Sequence, residues 1–146
     1  MRYVGLFWAV LVGMGLTVQV GMNASASRAL RSPLWASLAS FVVGLIVLGA
    51  VAAVFEAFPP RSGFASAPAW AWLGGALGAA YVASSIVLGP LLGATTLSAL
   101  LVAGQLAAAL IVDHFGLIGF PEHGVTAARL AGAALLVAGA ALIVRP

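Results

Sequence analysis

LWASLASFVVGLIVLGAVAAVFEA, residues 34–57, decides the fold: its first charged residue is Glu56, and only Ser37 and Ser40 interrupt the apolar run before it. A hydrocarbon core about 30 Å thick needs about 20 helical residues to cross it, and this stretch supplies them. A helix apolar all round has no face to offer to water. Working outward, stretches of similar length and character recur near 4–23, 69–87, 92–115 and 126–144. In lipid the backbone N–H and C=O groups find no water, so each span must close its own hydrogen bonds as a helix. Strands of a membrane barrel would be about 10 residues long and would alternate polar with apolar, and no such alternation occurs. The expected fold is an all-α integral membrane protein of five transmembrane helices, forming a single transmembrane domain over 1–146.

Composition agrees. Hydrophobic residues make up 64% of the 146 residues and charged residues 6%, with a mean hydropathy of +1.19. A soluble domain carries roughly a quarter charged residues, so these charges are too few to solvate a surface. The chain has no cysteine, which removes disulfides, thiolate chemistry and cysteine metal sites together. The first apolar run follows Arg2 and precedes Ala24-Ser25-Ala26, which imitates a secretory signal, but it is longer than an h-region of about 7 to 15 residues and is expected to stay as a helix.

The linkers are short. Ser25, Ser27, Arg28, Arg31 and Ser32 lead into Pro33, a residue favoured at a helix start. Pro59-Pro60-Arg61-Ser62-Gly63 and Pro68 mark the second linker, Gly89-Pro90 with Gly93 a tight third one, and residues 116–124 with Pro121 the fourth. Tyr3, Trp35, Phe58, Trp70 and Trp72 fall near helix ends, where aromatic rings anchor at the headgroup level.

An excess of Lys and Arg on one side normally orients such a chain. Lysine is absent, and five spans put Arg2, Arg61 and Arg129 on one side and Arg28, Arg31 and Arg145 on the other. An unbiased chain can insert both ways, and two opposed copies would reproduce the inverted pair that transporters build from internal repeats. The expected partners are therefore the lipid bilayer, a small-molecule substrate and a second copy, antiparallel or else a paired homologous chain. The net charge of +3 is met by arginines at helix ends and gives no reason to expect nucleic acid.

Polar groups within spans are costly and tend to face protein or water. At about 100° per residue, Trp8, Gly15, Gln19 and Asn23 fall within about 80° of one another. The two amides there offer donors and acceptors without fixed charge, suited to a neutral or zwitterionic group, or to bonds between helices. On the fourth span Thr95, Ser98, Gln105 and Asp113 share a similar arc, the expected lining of a wet cavity. Asp113 is the candidate for proton or ion coupling, with pairing to Arg129 or helix capping as the alternative. On the third span Gly74, Gly78, Tyr81 and Ser85 lie close in phase, Gly74 and Gly78 suited to packing and Tyr81 to substrate. Gly132 and Gly139 on the fifth offer a packing or dimer seam. The candidate substrate-binding set is Trp8, Gln19, Asn23, Tyr81, Ser98 and Gln105, with no catalytic residue, no metal ligand and no cofactor. No HExxH, GxSxG or phosphate loop occurs, so catalysis is not expected.

These residues carry a resemblance. Gln19-x-x-x-Asn23, Ser32-Pro33-Leu34-Trp35-Ala36, Phe41-x-x-Gly44, Trp72-Leu73-Gly74-Gly75, Leu92-Gly93-Ala94, Gly104-Gln105, Asp113-His114-Phe115-Gly116 and Arg129-x-x-Gly132 resemble the small YdcZ-like branch of the drug/metabolite transporter superfamily. The resemblance covers essentially the whole chain. It implies a five-helix unit equivalent to half of a ten-helix inverted-repeat exporter, located in a bacterial inner membrane. The chain also looks like a relative of the small multidrug exporters, which use a first-helix glutamate to exchange cations for protons. Here the neutral Gln19 stands in that general region, which argues against cation/proton antiport by that route. The function expected is secondary transport, as an exporter of a small polar or amphiphilic metabolite or drug, by alternating access in a dimer. The alternative is a non-transporting membrane subunit packed against a partner protein.

Overall fold

The computed structural model describes residues 2–56 and 58–145, and every regular element among them is helical. In chain order these are α1 (Arg2–Leu30), α2 (Pro33–Phe55), the short α3 (Arg61–Ser66), a 3-10 turn (Ala69–Trp72) running into α4 (Leu73–Leu92), α5 (Ala94–Phe115) and α6 (Ala127–Val144). Five are long and apolar enough to cross a membrane: α1, α2, Ala69–Leu92, α5 and α6. The chain groups into two compact units, Met1–Leu91 and Leu92–Pro146.

In the first unit α1 and α2 form a hairpin. Small residues let the helices approach at its turn, where Ala24, Ala36 and Ser37 are buried. The turn follows from local chemistry. Arg31 takes a left-handed conformation (φ 52°), the Ser32 hydroxyl accepts from the Trp35 N–H at 3.3 Å, and Pro33 supplies the first helical position without needing a donor. Further along, the Phe41 ring of α2 reaches Gly78 of α4, lying 3.8 Å from where a Cβ would sit. Gly74 has open space around it. In the linker, Phe64 stacks on Trp72 with centroids 6.2 Å apart.

Two expected boundaries need correcting. α1 does not stop near residue 23 but runs to Leu30, so Ser25, Ser27 and Arg28 are helical. Serine and arginine are compatible with a helix, and the true break is the Arg31 turn ahead of Pro33. At 29 residues α1 is about 43 Å long, more than the hydrocarbon needs, so its polar last turns reach the headgroup region. The expected Gly89-Pro90 turn is also absent. α4 continues through Pro90 to Leu92, and only Gly93 (φ 80°) breaks the chain. Pro90 lies within the last turn, where its missing N–H forfeits a single helical hydrogen bond. The short helix α3 lies in the expected second linker, whereas the 3-10 turn forms the start of the expected third span.

The second unit is the α5–α6 hairpin. Leu97 on α5 and Ala140 on α6 are buried towards one end. At the other, Gly116 closes α5 in the left-handed conformation (φ 59°, ψ 39°), and the Leu117 N–H returns to the Val112 carbonyl at 3.0 Å. Thr126 caps α6 by accepting from the Arg129 N–H at 3.2 Å.

Candidate functional site

The candidate residues divide between the two units. Trp8, Gln19 and Asn23 on α1 and Tyr81 on α4 belong to the first, and Ser98, Gln105 and Asp113 on α5 to the second. On α1 the helix is unbroken through Trp8, Gly15, Gln19 and Asn23, so their expected common face is real. Trp8 and Gln19 are exposed and Asn23 is half-buried. Gly15 has nothing near it, leaving a gap in that face beside Gln19.

Among the described residues of its unit the Gln19 side chain has no hydrogen-bond partner, and neither has the amide of Asn23 or the hydroxyl of Tyr81. Gln105, near the middle of α5 and exposed, likewise finds none in the second unit. An amide left unpaired in an apolar medium costs roughly 2 to 7 kcal/mol. The serines behave differently. Ser37 donates to the Pro33 carbonyl at 2.8 Å and Ser85 to the Tyr81 carbonyl at 2.7 Å, each satisfied by its own helix.

Thr95 and Ser98 of the expected α5 stripe line an open groove of about 440 Å³ between α5 and α6, together with Val102, Leu136, Gly139 and Ile143. Gly139, read from the sequence as a packing seam, borders this groove, and a Cβ on it would meet nothing within 4 Å. Gln105 does not line the groove.

Asp113 lies at the far end of α5, half-buried, with its carboxylate 3.4 Å from the Arg129 guanidinium. The same guanidinium donates to the His123 carbonyl at 3.4 Å, and the His123 N–H donates to the Asp113 carbonyl at 2.7 Å. The residue types explain the pairing. Asp113 is an acid in the last turn of α5 and Arg129 a base in the first turn of α6, so each opposes its own helix dipole and relieves the other. Periodicity did not reveal His123, whose backbone joins this clasp. Among the described residues no group of three or more His, Asp or Glu is placed to hold a metal ion.

A family model described as "Putative inner membrane exporter, YdcZ" matches residues 4–142. Neither the curated proteins nor the solved structures yield a match.

Proposed function

The chain belongs to the YdcZ family, described as inner membrane exporters, and from that premise we propose that it is a secondary transporter exporting a small polar or amphiphilic metabolite or drug by alternating access. Gln19 and Gln105 are the principal substrate contacts, with Asn23, Tyr81 and Ser98 as further lining and Trp8 as an apolar wall. The observation that carries this reading is that the side-chain amides of Gln19 and Gln105, set within candidate spans, are unpaired inside their own units. Had they been glue within a hairpin, their partners would lie in that hairpin. A polar substrate, water in a transport cavity, or a second copy can satisfy them, and an alternating-access dimer supplies all three in turn.

The working form is a homodimer, with antiparallel pairing favoured by the equal split of arginines between the two sides. Asp113 is the coupling candidate, as the only acidic residue within the candidate spans. A proton or cation taken up there has to compete with Arg129, so binding would loosen the α5–α6 clasp and link ion occupancy to helix position.

The deciding experiment is flux in proteoliposomes, comparing wild type with Gln19→Ala and Gln105→Ala at equal folded amounts. Loss of flux in both is the expected result. Full flux in both variants removes these residues from the site.

A further inference from the structure

The α1–α2 turn carries a charge that nothing in its own unit balances. Arg28, in the last turn of α1, donates to the neutral Ser25 hydroxyl at 2.8 Å. Arg31, three residues on, is exposed and has no partner among the described residues. The acidic residue of this unit is Glu56, beyond the far end of α2, a helix of 23 residues and about 34 Å. No carboxylate can therefore reach either guanidinium along this hairpin.

Large apolar side chains are exposed beside the arginines. Leu30 is 50% exposed, Leu34 74% and Trp35 65%. Two uncompensated guanidiniums beside exposed leucines and an indole suit an amphiphile with an anionic head. Guanidinium groups favour phosphate oxygens through paired hydrogen bonds. A free anion would leave Leu30 and Leu34 uncovered, whereas a lipid brings an acyl chain to them.

We propose that the α1–α2 turn is a binding site for an anionic phospholipid, its phosphate held by Arg28 and Arg31 and its acyl chain lying along Leu30, Leu34 and Trp35. The site holds one end of the hairpin at the headgroup level in whichever leaflet it faces. It does not depend on which substrate is carried, nor on whether any is.

The test is native mass spectrometry of the purified full chain in mixed micelles, counting bound phosphatidylglycerol against phosphatidylcholine. Wild type should retain phosphatidylglycerol preferentially. Each basic residue near an anionic surface contributes enough for about a fivefold preference, so Arg28→Gln with Arg31→Gln should lower retention at least tenfold. Arg28→Lys with Arg31→Lys should keep part of it, because charge remains while the planar fork is lost. Arg145→Gln, at the end of α6, should leave it unchanged. Excess inorganic phosphate should displace no more lipid than chloride at equal ionic strength, and raised salt should weaken retention in the wild type. Unchanged retention in the glutamine pair, an equal loss in Arg145→Gln, or displacement by phosphate beyond that by chloride at equal ionic strength would each overturn the proposal. If the glutamine pair does not fold, the lysine pair and the salt series on wild type decide, a salt-independent preference counting against it.

Discussion

At the scale of single residues, the contrast between hydroxyls satisfied by their own helix and amides left unpaired is the ground of the proposed site. Ser37 and Ser85 are buried, yet each is paired with the carbonyl four residues before it and asks nothing of a ligand. Gln19 and Gln105 close no such bond and remain unpaired among the described residues of their units. Replacing either with alanine should therefore leave melting temperature within a few degrees while lowering flux about tenfold, the weight of one net hydrogen bond of about 1.4 kcal/mol. Transport assays alongside thermal unfolding check both halves of this expectation. For Asp113 the measurement is the pH dependence of flux. Asp113→Asn should flatten the profile if this carboxylate couples transport, and a pH-dependent flux that survives the substitution removes it from that role. The spacing of Gln19, Asn23 and Gln105 was legible because helical phase is a property of the chain alone. Which amides lack partners was not, since that depends on what packs opposite.

At the scale of elements, the α5–α6 hairpin is held at one end by chemistry that the helix dipoles explain. Asp113 and Arg129 each sit at the unfavourable terminus of their own helix, so the exchanged pair, Asp113→Arg with Arg129→Asp, places both charges favourably. Each single change should destabilise the hairpin by up to about 1 kcal/mol, the modest scale of a half-exposed ion pair. The double exchange should recover the loss, which thermal unfolding of all four proteins measures. Gly116 is the second hold. Its left-handed backbone disfavours any side chain, and Glu122 lies in contact, 3.4 Å from where a Cβ would sit. Gly116→Ala should cost about 1 to 2 kcal/mol from backbone conformation alone, read as a lower melting temperature. By contrast Gly132→Ala, in open space, should be near neutral in the isolated chain.

At the scale of the whole molecule, the open question with the largest consequence is orientation. The natural absence of cysteine permits Ser27→Cys and Ser62→Cys to be introduced one at a time and labelled in intact cells with an impermeant thiol reagent. If the chain inserts both ways, as the balanced arginines suggest, each position should label to about half its value after permeabilisation. Complete labelling of one and none of the other would instead mean a single orientation, and would favour a parallel dimer or a subunit held by a partner protein. The structure adds one reason to expect association of some kind. Within each unit few of the described side chains are buried, and leucines, valines and aromatic rings remain exposed along most helices. Lipid covers many of them, but the mid-span amides are not groups that lipid can satisfy.

The number and type of the spans were determined by the sequence alone, because hydropathy over about 20 residues and the need to close backbone hydrogen bonds in lipid are local requirements. The resemblance carried by motifs such as Gly104-Gln105 and Asp113-His114-Phe115-Gly116 was likewise legible, and the family match over residues 4–142 bears it out. Helix ends were less so. Polar residues at 25–28 looked like a linker but continue α1, and Gly89-Pro90 looked like a turn but stays within α4, because a helix reaching the headgroup region tolerates what an interior span would not. Only the tertiary structure decided that Asp113 meets Arg129 across 16 residues, that Gly78 rather than Gly74 receives a ring from α2, and that Thr95 and Ser98 border a groove while Gln105 does not. Each of these depends on which helix lies opposite, and helical phase fixes the face a residue occupies without fixing what that face meets.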